Sequence, residues 1–277
     1  MFSKPTDAFV DSTKDQLIDH FNNGYAHLIV CFAGKHWIIK MKESAPDEPK
    51  REFLAFSLGW KWLNIPEVKL LTREERGELA EHRPDLQIKT FDTWLVRLVQ
   101  DYAASELAIN DLTRAIAGEL VFSLWIRRRD AHFSNRALVN GVPMFFDFHV
   151  AFAKERQFAS LDGFFQQGND AGFPNNWRLQ KLPQNKEVNL IEVRNRERGR
   201  PLALQPVCDE FVFEDSLLKF INIIKEQQRD SWVELIRNVG FQGADAQEID
   251  DLLTDSRATI DEAVARMKAI VKSPIEV

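Results

Sequence analysis

The pair Asn140-Gly141 lies between two short apolar runs, and it limits how this chain can fold more than any other local feature. A tight type I′ turn requires positive φ at both central positions, and Asn-Gly adopts that turn readily. The spacing predicts a β-hairpin with strands over Ala137–Val139 and Met144–Phe146. Because a hairpin returns its far end beside its start, the residues before and after it are expected to lie close together.

Polar residues flank this hairpin on both sides. Asp130 and Asn135 precede it in the run RRDAHFSN, and Asp147 follows its second strand. In phosphoryl-transfer sites, the Asp of an R-D-x-x-x-x-N loop accepts the proton of the attacking hydroxyl, while the Asn and a later Asp hold Mg²⁺. Mg²⁺ prefers such oxygen ligands. A lone D-x-x-x-x-N is common by chance, so the interpretation depends on the hairpin and on Asp147 at its exit.

The length and composition bound the class of protein. With 277 residues, of which 44% are hydrophobic, the chain can form one large domain or two lobes that share a cleft. The formal net charge of −6 does not favour nucleic acid as a partner. Only two cysteines are present, Cys31 and Cys208, which argues against a disulfide scaffold or a cysteine-based zinc site.

The sequence also predicts a cytoplasmic protein. The N-terminal residues lack the charged and apolar regions of a signal peptide. No apolar run approaches the roughly 18 residues that a membrane span requires. We therefore expect no membrane association.

The first part of the chain alternates strands and helices. Residues 25–42 predict a hairpin, residues 67–71 and 93–99 two further strands, and residues 50–63 and 111–127 two helices. Asp111 or Asn110 is expected to cap the second helix. Residues 43–49 read as a loop, and residues 72–89 as a charged, irregular segment.

The second part is mostly helical. Residues 153–210 predict loops with one or two short strands, of which Val188–Val193 is the best candidate, and helices are predicted over 214–227, 229–239, 246–254 and 256–272. This order indicates an α+β, bilobal fold with a small β-rich N-lobe and a larger, mostly helical C-lobe. We expect one domain over 1–277, with the N-lobe at 1–102 and the C-lobe at 103–277.

Lys40 and Glu52 would complete a phosphoryl-transfer cleft. Lys40 ends the run WIIK on the second predicted strand, which matches the strand lysine that binds ATP phosphates in kinases. Glu52 lies near the start of the helix that follows, where it could orient that lysine. The alternative is an ordinary strand-end lysine and a surface glutamate, which is the better interpretation of either residue taken alone.

Two further positions have two interpretations each, and a third departs from a known motif. Gly24 could belong to a turn whose backbone N–H groups cover the nucleotide phosphates, although no G-x-G-x-x-G is present and a plain turn is favoured. His132 could bind metal or act as a base, but it is expected to support the loop around Asp130, because no second His or Cys lies at ligand spacing. His149 takes the place of the glycine in a D-F-G motif.

Taken together, these segments resemble the HipA-like kinases and, more distantly, the phosphatidylinositol 3- and 4-kinases. The resemblance rests on IIK at 38–40, on the helix–turn–strand at 51–68, on RRDAHFSN and on FFDFHVAF at 145–152. It implies Asp130 as the catalytic base, Asn135 and Asp147 as Mg²⁺ ligands, Lys40 as the ATP-phosphate lysine and Glu52 as its partner. It also implies ATP and Mg²⁺ as cofactors, a Ser/Thr or small hydroxyl acceptor, and an antitoxin-like partner as one option.

Two rival functions keep this fold. The same loop and metal ligands can transfer AMP if the nucleotide binds in the reversed orientation. A pseudokinase would use the cleft only as a nucleotide-binding scaffold, although all five polar positions are filled here. The sequence does not identify the acceptor.

Overall fold

The structure is a computed structural model of the chain. It describes residues 28–32, 34–84, 86–128, 135–139, 141–152, 161–166, 180–181, 191–194, 201–205, 207–208 and 210–272. Within these ranges the fold is mixed α/β, with a small antiparallel sheet and several helices. The predictions for Gly24, Asp130 and His132 lie outside the described residues.

A four-stranded antiparallel sheet forms the N-terminal part, in the order β1-β2-β4-β3. Its strands are β1 (Leu28–Phe32), β2 (Lys35–Lys42), β3 (Val68–Leu70) and β4 (Asp92–Arg97). The predicted hairpin over 25–42 is confirmed in its described part, with β1 and β2 paired and Gly34 at φ +73° in the turn. The two other predicted strands are also present, within one or two residues of their expected ends.

The alternation of side chains along β2 and β4 gives the sheet two different faces. Trp37, Ile39 and Leu95 pack on one face. Trp94 and Val96 pack on the other, against the first helix of the described residues. Lys40 lies directly opposite Trp94 in the register of β2 and β4, which places Lys40 on the helix side of the sheet.

That first helix, α1, spans Asp47–Gly59. It begins three residues earlier than predicted, so the expected loop over 43–49 was too long. Pro49 lies in the first turn, where its missing N–H costs no intrahelical hydrogen bond. Asp47 and Glu48 in that turn are favoured by the helix dipole.

A second helix, α2 (Arg73–His82), was not predicted. The segment is too charged to show a long apolar periodicity, but its start carries a capping box. Thr72 Oγ1 accepts from the Glu75 amide at 3.2 Å, and Glu75 Oε2 accepts from the Thr72 amide at 2.8 Å. The sequence T-R-E-E was the available signal.

The C-terminal part is built on α3 (Leu112–Trp125), which is buried along almost its whole length. Asp111 is its N-cap, since Oδ1 accepts from the Arg114 amide at 2.8 Å. Around it lie a short α4 and four longer helices: α4 (Leu161–Gln166), α5 (Glu210–Glu226), α6 (Arg229–Asn238), α7 (Gly243–Ala258) and α8 (Ile260–Lys272). The predicted C-terminal helices are confirmed with shifted ends, whereas α4 falls in the segment expected to form loops and short strands.

The predicted hairpin is present, formed by β5 (Arg136–Val139) and β6 (Val142–Phe145), which begin one and two residues earlier than expected. Gly141 has φ +81°, and the Phe146 amide donates to the Asn135 carbonyl at 3.1 Å. The exit of the hairpin therefore lies beside its start. Four further short strands form two pairs: β7 (Gln180–Lys181) with β10 (Val207–Cys208), and β8 (Ile191–Arg194) with β9 (Pro201–Gln205).

The largest hydrophobic core includes side chains of α1, α3, the β5–β6 hairpin and the C-terminal helices. Among the described residues, no helix is long and apolar enough to cross a membrane. The predicted division into lobes at residue 102 stays a prediction.

Gly118 allows α3 to approach its neighbours closely. A Cβ there would lie 2.7 Å from Leu63 Cδ2 and 2.8 Å from Phe220 Cζ. We expect Gly118→Ala to lower the free energy of unfolding by about 1–3 kcal/mol, because the added methyl group would overpack the core. Gly77→Ala in α2 is the matched control: nothing lies within 4 Å of its Cβ, and it should stabilise the protein by ~0.5–1 kcal/mol. Urea unfolding measures both, and equal effects of the two substitutions would contradict this account.

Asp250 makes the packing of α6 on α7 sensitive to pH. It accepts from Arg229 Nη2 at 2.6 Å and from the buried Trp232 Nε1 at 2.9 Å. The Arg229 hydrogen bond is the largest influence, and with Trp232 it lowers the Asp250 pKa below 3.8 despite burial. A depressed carboxyl pKa contributes stability above the unfolded-state pKa, and that stability is lost as pH falls through the folded-state pKa.

Asp250→Leu should therefore lower the free energy of unfolding at pH 7 by about 1–3 kcal/mol, because it leaves the Trp232 N–H without its acceptor. The difference from the wild type should shrink as the pH falls below about 4. Urea unfolding at several pH values measures it. The exposed Asp251 on the same helix provides the control variant Asp251→Leu, with an expected change within about 0.5 kcal/mol. Parallel pH curves for wild type and Asp250→Leu would contradict the prediction.

Candidate active site

Lys40 and Glu52 form a buried ion pair between the sheet and α1. Lys40 Nζ lies 2.7 Å from Glu52 Oε1 and 2.9 Å from Oε2. Only 1% of Glu52 is exposed to solvent. The predicted contact between Lys40 and Glu52 is present. Lys40 lies on the face of the sheet that packs against α1, and Glu52 lies on the buried face of that helix.

Trp94 also contacts this ion pair, and the sequence had not marked Trp94 as a site residue. Its Nε1 donates to Glu52 Oε2 at 2.6 Å, and Lys40 Nζ lies 5.7 Å from the ring centroid. Trp94 is placed there by the β2–β4 register, in which it is directly opposite Lys40. The available signal was a tryptophan inside an apolar strand, since a buried indole N–H requires an acceptor.

Asp147 joins the same cluster from the hairpin. Its Oδ1 accepts from Lys40 Nζ at 2.9 Å, although the two residues are 107 positions apart in the sequence. The residue has φ +68°, a left-handed conformation that Asp tolerates better than most residue types. The Asn-Gly hairpin thus places Asp147 in contact with Lys40, which lies on strand β2 of the N-terminal sheet.

The charges in the cluster stabilise each other. Burial disfavours the charged form of Lys40, but the carboxylates of Asp147 and Glu52 outweigh it and raise the Lys40 pKa well above its ordinary value. Burial likewise opposes ionisation of Asp147, and the nearby Lys40 and His149 overcome it and hold the Asp147 pKa well below its usual range. At neutral pH the ammonium group of Lys40 therefore lies beside the ionised carboxylate of Asp147.

His149, the residue in place of the D-F-G glycine, contacts the same aspartate. Its Nδ1 lies 2.5 Å from Asp147 Oδ1, and its Nε2 lies 3.8 Å from Glu48 Oε2. Burial lowers the His149 pKa, but the hydrogen bond and charge of Asp147 prevail and raise it. Glu48 also pairs with Lys42. The sequence marked His149 as a departure from the usual motif but did not indicate this contact.

Asn135 is buried at the start of the hairpin, and its carbonyl accepts from the Phe146 amide. The structure therefore brings the predicted residues Lys40, Glu52 and Asp147 into contact and places Asn135 beside the backbone that leads into Asp147. Asp130, Gly24 and His132 are outside the described part of the chain, so their predicted roles stay predictions.

Asp147 and Asn135 are the described residues whose oxygen atoms would bind Mg²⁺, if it enters together with a nucleotide. In the described ranges, no group of three or more His, Cys, Asp or Glu side chains could hold a metal ion by itself. Asp147 offers an ionised carboxylate, and Asn135 is the amide expected to join it. Mg²⁺ in phosphate-transferring sites is usually held by one or two carboxylates, substrate phosphates and water, which agrees with so small a donor set.

Comparison with known proteins identifies no family. No protein-family model matches the chain, and no curated protein matches it. Among solved structures, the chain is similar to that of a Helicobacter pylori proinflammatory kinase, CtkA. The sequence identity is 10%, the TM-score is 0.48, and the match covers 88% of this chain and 91% of that chain. The resemblance to HipA-like kinases stays a prediction from the motifs.

Proposed function

We propose that this protein is an ATP- and Mg²⁺-dependent phosphotransferase whose acceptor is a hydroxyl group of a protein Ser/Thr or of a small molecule. The observation that carries the proposal is the contact of Lys40 with both Glu52 and Asp147. These residues come from a strand, a helix and a hairpin exit, in the order and roles that a kinase cleft requires.

Each residue then has a definite role. Lys40 binds the ATP phosphates, and Glu52 holds Lys40 in place with the help of Trp94. Asp147 and Asn135 hold Mg²⁺, which supplies charge neutralisation to the phosphates when bound. Asp130 accepts the proton of the attacking hydroxyl. In this proposal the sheet and α1 belong to an N-lobe, the helices from α3 onward form a C-lobe, and catalysis is mainly positioning and electrostatic stabilisation.

Label transfer from ATP tests the proposal. Purified protein is incubated with Mg²⁺ and ATP that carries the label on the γ-phosphate, with a protein mixture or small alcohols as acceptors. We expect incorporation that is lost in both Asp130→Ala and Asp147→Ala. Turnover unchanged in both variants would refute the assignment of the site.

The position of the label separates phosphoryl transfer from AMP transfer. Label on the α-phosphate is incorporated only if AMP is transferred, and the mass of the product distinguishes the two modifications. Incorporation from α-labelled but not γ-labelled ATP would replace the proposed reaction by AMP transfer.

Thermal unfolding separates both enzymes from a protein that does not use nucleotide. A nucleotide present at about 100-fold over its dissociation constant stabilises its protein by about 2.7 kcal/mol. We expect ATP with Mg²⁺ to raise the melting temperature of the wild type and to raise that of Lys40→Met much less. A shift without any transfer would indicate a pseudokinase scaffold.

A further inference from the structure

A buried arginine lies at the end of α3, immediately before the segment that contains Asp130. Arg128 is 0% exposed, and its Nη1 lies 2.8 Å from Oε1 of Glu119, which is 1% exposed. Glu119 belongs to α3, whose other inward side chains are almost all apolar. Two charges at full burial require a close partner and good geometry, and here each supplies them to the other.

The same guanidinium holds the chain on both sides of Asp147. Arg128 Nη2 donates to the Phe146 carbonyl at 2.6 Å. The guanidinium carbon lies 4.1 Å from the centroid of the Phe148 ring. The Phe152 amide donates to the Ile126 carbonyl at 3.0 Å, which holds the end of the segment after Asp147 against the end of α3.

We infer that Arg128, held by Glu119, is the positioning residue that sets the orientation of the Asp147 carboxylate toward Lys40. Asp147 adopts its left-handed backbone conformation between the two residues that Arg128 fixes, so its side-chain direction depends on them. Only a planar cation with a fork of donors can donate to one carbonyl, pair with one carboxylate and stack on a ring at the same time, which lysine cannot do. The expected effect of Arg128 on turnover rests on the proposed function, whereas its expected effect on the position of Asp147 does not.

Three variants separate positioning from folding. Arg128→Met removes the guanidinium that pairs with the buried Glu119 carboxylate and is expected to lower the melting temperature strongly. The double variant Glu119→Leu/Arg128→Met replaces the ion pair by apolar side chains, an exchange that is often neutral for stability. Arg128→Lys keeps the positive charge beside Glu119, so it is expected to fold, but it loses the fork and the stacking.

The expected result is that the double variant recovers the melting temperature while its kcat stays reduced by about 100-fold, the loss typical of a misplacement near 1 Å. Arg128→Lys should likewise lower kcat far more than it changes the KM for the acceptor. Arg127→Met is the matched control, because Arg127 is equally buried but bonds to Ser256 and Asp255 instead of the Asp147 segment. Its kcat per folded molecule should equal that of the wild type.

Full kcat in the double variant or in Arg128→Lys would overturn the inference, as would an equal loss in Arg127→Met. Hydrogen exchange of residues 144–152 supplies a readout that does not need activity. Exchange should accelerate in Arg128→Lys and in the double variant but not in Arg127→Met, and unchanged exchange would also overturn the inference. If the wild type transfers no phosphate, the proposed function fails, while the exchange comparison still tests Arg128.

Discussion

Replacing Lys40 with Met is expected to lower the free energy of unfolding by about 3–5 kcal/mol, because it removes one partner of a buried ion pair and leaves the other uncompensated. Glu52 is 1% exposed and would keep only the Trp94 N–H as a described hydrogen-bond donor. Asp147 would lose the same ammonium group. Urea unfolding of wild type and variant at neutral pH measures the loss.

The double variant Lys40→Met/Glu52→Gln tests the stated cause. It removes both charges while glutamine keeps an oxygen for the Trp94 N–H, so we expect most of the lost stability to return. Lys35 provides a control on the same strand, since its pair with Glu67 is about 40% exposed on each side. Lys35→Met should change stability by less than ~1 kcal/mol. Equal losses in the variants at positions 35 and 40 would show that burial of the pair is unimportant.

Replacing Asp147 with Asn is expected to lower kcat for label transfer by roughly 10²–10³, the effect of removing one preorganised electrostatic contact from a reaction site. Asparagine keeps the shape of the side chain and an oxygen that can accept from Lys40. It removes the negative charge that pairs with Lys40 and that the proposed Mg²⁺ site requires. The folded fraction, measured by circular dichroism, should stay close to that of the wild type, so that the loss appears in turnover.

Asp215→Asn is the matched control, because Asp215 forms a surface pair with Lys219 on α5, with half of its side chain exposed. Its kcat should equal that of the wild type. A value for Asp147→Asn within twofold of the wild type would contradict the assignment of Asp147 as a metal ligand. Raising the Mg²⁺ concentration should recover part of the lost turnover only if the variant weakens metal binding.

Local sequence patterns were sufficient for most of the scaffold. The Asn-Gly turn predicted the β5–β6 hairpin, and the periodicity of residues 111–127 predicted α3 with Asp111 or Asn110 as its cap, of which Asp111 is the cap observed. Helix α2 was missed because its signal lies in the cap rather than in an apolar face. Turns and caps depend on the backbone preferences of a few neighbouring residues, so the cap of α2 was also a local signal, although the segment shows no apolar periodicity.

The sequence by itself also determined which polar residues were candidates for the site, namely Lys40, Glu52, Asn135 and Asp147, with Asp130 as the expected base. Only the tertiary structure decided which groups surround them. The β2–β4 register placed Trp94 over the Lys40–Glu52 pair, and the packing of α3 against the hairpin placed Arg128 and Glu119 behind Asp147. Register and helix packing follow from the burial of many distant side chains at once, so contacts between residues far apart in the chain cannot be read from any local pattern.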